Sequence, residues 1–268
     1  KTKKKTSRNR RSHKKQIQKQ KQKKRQLTFH CNRSNILSDI LKEHGFIQID
    51  CSLPSDFSMW DTYKTFDIQS KLCCIGRKIM NSLDNKRQMY LTLESLGQTS
   101  FLPHTFPYAS EISEMDLDPN KLYFLKMIHG SSGKDVYPVK TIRDIRKNVP
   151  GSLDNYIIQE EVPNMMLHDG CKSTMRMYGC VIEGDVYLYN DGYIYIYTAK
   201  YDRDQLDIDI HVTGAVIKNS CNHVRYEPFS CQPYYKIVFP KLIPICKQTI
   251  MPFIREPKKN RYQIVGID

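Results

Sequence analysis

Residues 156–200 read YIIQEEVPNMMLHDGCKSTMRMYGCVIEGDVYLYNDGYIYIYTAK, and their patterning decides the fold. An apolar run opens the stretch and turns polar at Gln159, Glu160 and Glu161 before Pro163. This reads as a buried strand over 156–162 that turns polar at its end. Residues 175–182 and 186–197 are dense in Tyr, Ile, Val and Met, the composition of strands. Tyr193, Ile194, Tyr195, Ile196 and Tyr197 put apolar groups on both faces, so this strand is expected to be central or covered.

Upstream, short β-rich runs at 122–128 and 136–139 are followed by a charged helix over 141–148. Before them, residues 66–98 recur at helical spacing through Leu72, Ile75, Ile79 and Leu83, then Met89, Tyr90, Leu93 and Leu96, and Gly97 ends the run. An amphipathic helix over 35–44, stopped by Gly45, and a strand over 46–49 form a first small lobe. Downstream, residues 239–256 predict a helix started by Pro240 and interrupted by Pro244 and Pro252, and 262–267 a final strand. No internal repeat is visible.

The chain has 268 residues, enough for a sizeable core, and a formal charge of +14. That charge is local. Residues 1–26 hold 14 Lys and Arg and no Asp or Glu, which leaves 28 basic and 28 acidic side chains in the remainder. So polar a segment buries too little apolar surface to offset the entropy of ordering, and residues 1–28 are expected to be a disordered basic tail. It would contact polyanions without sequence specificity and reads as a nuclear address, an electrostatic tether or a solubilising segment. The neutral remainder has no recognisable nucleic-acid module, so a nucleic-acid reading would rest on the tail alone.

Nine cysteines without a CxxC pair, and no apolar run of about 18 residues, predict a reduced intracellular protein, cytoplasmic or nuclear, without a membrane span. The first residue is Lys and not Met, which suggests a fragment or a processed chain.

The chemistry concentrates around Gly130-Ser131-Ser132-Gly133-Lys134, a loop between two strands with Lys126 in the strand before it. Glycines admit backbone N–H groups to phosphate oxygens, hydroxyls add donors, and the lysines supply charge. A Gly-Ser turn is commonly only a turn. The P-loop spacing is absent. His129 and His168 lie at no metal-ligand spacing, and no Ser-His-Asp or Cys-His arrangement is legible.

The run "YIIQEEVPNMMLHDGCKSTMRMYG…VYLYNDGYIYI…YD…HVTG" resembles the tubulin-tyrosine-ligase-like family. That family has a strand ending in Gln, a "DGxKfDiR" segment, a "lYxeGxlR" strand and "HLTN", in this order. Weaker agreement extends to "NKRQMYLTLESLGQTSFLPHTF" and the terminal "YQIVGID". The resemblance implies an α+β, ATP-grasp fold with two antiparallel-sheet lobes, flanking helices and a small N-terminal lobe. The expected division is a tail over 1–28, an N-terminal lobe and helical linker over 29–105, and ATP-grasp lobes over 106–268.

The implied reaction uses ATP and Mg2+ to phosphorylate a carboxylate, and an amine then attacks the acyl phosphate to form an amide. The implied partners are ATP, an acidic protein substrate and a free amino acid. Lys126 would reach the α and β phosphates under the loop formed by Gly130, Ser131, Ser132, Gly133 and Lys134. Lys172 would sit near the adenine and Arg176 near the transferring phosphoryl group, where cations screen crowded negative charge. Gln159, Glu160, Glu161 and Val162 would line the adenine edge, with Glu160 and Glu161 facing either solvent or ribose. Thr174 lies in the nucleotide-binding segment, Thr213 would contact ribose, and Asp268 would ligate the metal. The sequence ends at Asp268, before the Glu-x-Asn strand that supplies the family's remaining ligands, so truncation within the metal site is expected.

Three positions depart from the family pattern. Thr174 replaces an acid, Tyr195 an Arg and Gly214 an Asn. Losing an Arg that neutralises charge in a desolvated site costs on the order of 2–4 kcal/mol in catalysis. Two readings follow, a ligase acting on a substrate other than a tubulin tail or a catalytically impaired nucleotide-binding module. His211 remains, and reads as a satisfied structural histidine.

Overall fold

The computed structural model describes residues 25–31, 36–50, 53–59, 70–74, 83–130, 133, 135–212, 224–254 and 261–267. The tail to residue 24, and Ile75 and Ile79, lie outside them. The chain divides into two compact units, residues 1–74 and 75–268.

In the first unit, β1 (Thr28–Cys31), β2 (Ile47–Gln48), β3 (Ser55–Met59) and β4 (Ser70–Cys74) pair in parallel in the order β2-β1-β3-β4. The helix α1 (Ile36–Glu43) links β1 to β2, and Gly45 follows it at φ +81, a conformation open to glycine. Asp56 accepts from the Thr28 amide at 3.0 Å, from Lys71 at 2.8 Å and from Arg25 at 3.0 Å. Its carboxyl lies below the usual range, chiefly through the Lys71 bond.

β4 corrects the expectation of helix around Leu72. That residue pairs with Phe57 across two parallel strands. A short buried strand and a buried helix share the same apolar spacing, and long-range pairing decides between them.

The second unit holds two antiparallel sheets with flanking helices, the α+β arrangement expected from the sequence. The smaller sheet has the order β5-β8-β6-β7, formed by Thr105–Phe106, Tyr156–Glu160, Tyr123–Met127 and Val136–Val139. One face buries Tyr123, Leu125, Val139, Tyr156 and Ile158 with Ile145 of α3 (Ile142–Asn148). That helix starts at a capping box, in which Thr141 and Asp144 each bond the other's backbone N–H. Alternation turns Phe124, Lys126, Ile157 and Gln159 to the opposite face.

The larger antiparallel sheet runs β11-β10-β9-β12, with β9 (Cys171–Ile182), β10 (Asp185–Lys200), β11 (Val224–Pro228) and β12 (Arg261–Ile267). Cys171, Met177, Ile194 and Ile196 bury one face with Phe229 and with α5 (Tyr235–Ile250). The register shifts between Leu188 and Gly192. A Cβ at Gly192 would lie 2.3 Å from the Arg176 carbonyl oxygen, so only glycine fits.

α5 begins four residues before the predicted start and runs through Pro240 and Pro244. Both prolines lie on its exposed side, where the carbonyls that lose a donor are open to solvent in place of the core. Among the described residues no helix is long and apolar enough to cross a membrane. Cys171, Cys180, Cys231 and Cys246 are free thiols.

Candidate functional site

The two sheets of the second unit meet around Phe124. Strand alternation brings Lys172, Thr174, Arg176 and Tyr178 to the face of β9 opposite its helix-covered core. The Lys172 amine stands 4.5 Å from the centre of the Phe124 ring, and the Lys126 amine stands 5.6 Å from it. The His211 ring contacts the same phenyl edge-on at 6.0 Å. Two lysines from different sheets therefore share one aromatic neighbour.

Lys126 donates to Oε1 of Gln159 at 2.6 Å, and Gln159 donates through Nε2 to Oγ1 of Thr105 at 3.0 Å. Burial pushes the Lys126 amine down to about 8, and the positive charges of Lys86 and Lys172 push in the same direction. Its acceptor is a neutral amide.

Lys172 donates to the buried carboxylate of Glu161 at 3.2 Å. The same carboxylate accepts from Tyr201 at 2.7 Å, with Arg203 3.7 Å away. Burial lowers the Lys172 amine and Glu161 offsets part of that. Burial and the bond to Glu161 raise the Tyr201 phenol above its ordinary range. Glu161 is thus turned away from solvent, because donors separated from it in sequence enclose it. Glu160 instead pairs with Lys121 at 2.9 Å.

The segment 159–162 offers less backbone than its sequence suggests. The Glu160 amide donates to His104 O and the Glu161 amide to Leu122 O, both at 2.8 Å. The Val162 amide has no acceptor among the described residues, and it is the donor left at this edge.

Of the loop, Gly130 donates to Met127 O at 3.1 Å and Gly133 takes φ +65, while Ser131, Ser132 and Lys134 lie outside the described residues. Thr213, Gly214 and Asp268 also lie outside them. Arg176 lies against Gly266 of β12, where a Cβ would stand 3.3 Å from its guanidinium. Thr174 faces Tyr195 across β9 and β10, and Tyr195 meets Tyr226 edge-on at 5.0 Å. An aromatic pair therefore stands at the position where the sequence resemblance leads one to expect Arg. His211 is buried and bonds the Gln205 carbonyl at 2.8 Å through Nε2; its Nδ1 has no partner among the described residues. Burial holds the ring's pKa below its ordinary value.

Sequence reasoning missed Lys86 and Arg87, at the start of α2 (Lys86–Ser95). Lys86 donates to the Gly130 carbonyl, and burial lowers its amine despite Asp84 nearby. Arg87 donates to Pro107 O at 2.7 Å, Asp154 O at 2.6 Å and Tyr156 O at 3.0 Å. A signal was available. Two cations in a first helical turn oppose the helix dipole, which favours acids there.

Among the described residues no three His, Cys, Asp or Glu side chains are grouped to hold a metal ion.

A profile of the tubulin-tyrosine ligase family matches residues 69–235, more than half of the chain. The chain is 27% identical over 145 residues to a probable alpha-tubulin polyglutamylase Ttll1 of Tetrahymena thermophila, covering 48% of this chain and 35% of that protein. It is 32% identical over 114 residues to the human tubulin polyglutamylase TTLL6, covering 40% of this chain and 12% of that protein. The chain thus matches about a third or less of the length of these relatives. With the ordered motifs, the two antiparallel sheets and the profile match in agreement, the chain belongs to the tubulin-tyrosine ligase family.

Proposed function

We propose that the chain forms part of an ATP-dependent carboxylate-amine ligase that adds an amino acid to a protein. The observation that carries this reading is the convergence of Lys126 and Lys172 on Phe124, with Lys86 close enough to repel Lys126. Desolvated like charges are costly to keep together, and an anion relieves that cost. The donor set suits a polyphosphate: among the described residues Lys126 has a neutral acceptor, and Lys86 reaches the Gly130 carbonyl at the loop.

In this reading Lys126 and Lys86 meet the phosphates under the loop of Gly130, Ser131, Ser132, Gly133 and Lys134. Lys172, set by Glu161, lies toward the adenine, whose edge meets the backbone of residues 159–162 through the Val162 amide. Arg176 serves the transferring phosphoryl group, Thr174 lines the site beside it, and Thr213 meets the ribose. Asp268 is proposed as a carboxylate for Mg2+ on sequence grounds alone. The phosphoryl group passes to a carboxylate oxygen and ADP leaves; the amine then attacks the acyl carbon, losing a proton as phosphate departs.

The relatives' names point to glutamate as the amino acid and to tubulin as the protein modified, and the sequence resemblance adds that the acceptor is acidic. The basic tail is proposed to hold such a partner electrostatically, in the cytoplasm or the nucleus. A second reading, a nucleotide-binding module without ligase activity, is favoured by the Tyr195–Tyr226 pair where the family carries Arg. Incubating the full-length protein with ATP, radiolabelled glutamate and tubulin, with hydroxylamine trapping of acyl phosphate, separates the two. Trapping or incorporation supports the ligase. ATP binding without either supports the module, and no ATP binding contradicts both.

A further inference from the structure

Thr105 is 4% exposed and sits on β5 opposite Gln159 of β8. Its hydroxyl has one proton, and that proton goes to Pro103 O at 2.8 Å, since a carbonyl can only accept. The hydroxyl oxygen is then left to accept, and it receives Nε2 of Gln159 at 3.0 Å. The amide orientation follows. With its NH2 end committed to Thr105, Gln159 turns Oε1 to the Lys126 amine at 2.6 Å.

A reversed amide would set NH2 donors against the amine, and an ammonium has no lone pair to accept them. Only the neutral amine would suit that arrangement. We propose that Thr105 is a positioning residue that fixes which end of the Gln159 amide faces Lys126, and so favours the charged form of the Lys126 amine. The chain Pro103, Thr105, Gln159, Lys126 runs across three strands of the smaller sheet.

Among the described residues, burial and the neighbouring positive charges both work against this local acceptor. Lys86 from α2 and Lys172 from β9 both repel its charge, and burial adds to them. The carboxylate of Glu161 is taken by Lys172 and Tyr201. The significance for phosphate binding rests on the proposed nucleotide site, but the effect on Lys126 does not.

The test is an NMR titration of the Lys126 amine, without nucleotide, in the wild-type chain and in Thr105→Val and Thr105→Ser. The wild-type amine is expected to titrate near 8. Thr105→Val, isosteric but without the hydroxyl, should lower the charged-to-neutral ratio about tenfold at a given pH. Thr105→Ser should restore the wild-type curve. Gln159→Met gives a second route and should also lower the ratio, because it removes the acceptor.

Affinity for a non-hydrolysable ATP analogue supplies a separate readout. Thr105→Val should bind about tenfold more weakly at pH 9 and within about twofold of wild type at pH 6.5. Coincident Lys126 titrations in wild type, Thr105→Val and Gln159→Met would overturn the proposal and leave the nucleotide site untouched. A wild-type chain that binds no analogue would overturn the nucleotide site, while the titration still decides the role of Thr105.

Discussion

Lys126, on the smaller sheet, gives its proton to a neutral amide, whereas Lys172, on the larger sheet, is held by a buried carboxylate. Both flank Phe124 and both are desolvated, so the difference lies in their partners. Lys172 is neutralised inside the protein and joins β9 to the end of β8. Lys126 keeps charge that the fold does not cancel. A buried cation of the first kind holds architecture together, and one of the second kind is set for an anion from outside.

The comparison fails if the two sides respond alike to losing a partner. Glu161→Leu leaves Lys172 buried without its counter-ion and Tyr201 without its acceptor, and should cost about 3–5 kcal/mol in denaturant unfolding. Lys126→Met, nearly conserving volume, should have the opposite sign. It removes a desolvated charge and should stabilise the fold by about 1–3 kcal/mol at pH 7, while weakening nucleotide binding. Equal losses from both variants would make the lysines equivalent.

Arg87→Lys sharpens the account of how the smaller sheet is braced. A lysine cannot span Pro107, Asp154 and Tyr156 carbonyls with one fork, so about 1–2 kcal/mol should be lost, again read by denaturant unfolding.

The smallest effect is in pH. The folded Lys126 amine titrates at about 8 and the free amine at 10.5, so between these values the unfolded chain binds more protons. The cost of burying the charge is complete below about 8 and is relieved as pH rises toward 10.5. From pH 7 to 9 Lys126 should add about 1 kcal/mol of stability, and that gain should vanish in Lys126→Met. Nucleotide affinity should move the other way, falling as the amine loses its proton.

β9, β10 and β12 of the larger sheet were legible as β-rich runs, whereas β11 was not read from the sequence. The helix from Ile142 was legible as a charge-rich run between two strands. β3 and β4 were not, since SDFSM and SKLCC carry few β-branched residues and form through parallel pairing and the ties of Asp56 to Thr28 and Lys71. In the site, Lys126 and Lys172 could be proposed from strand position and motif order. The burial of Glu161 could not, because Tyr201 and Arg203 reach it from beyond β10. Thr105 was hidden for the same reason, since only the β5–β8 pairing brings it to Gln159.

The most direct measurement is isothermal titration of ATP into the wild-type chain and into Lys126→Met at pH 7. The wild-type chain should bind, and the variant should bind more than tenfold more weakly, a loss of at least about 1.4 kcal/mol, while remaining folded. Equal affinities in the two proteins, or no binding by the wild-type chain, would contradict a polyphosphate site built on Lys126.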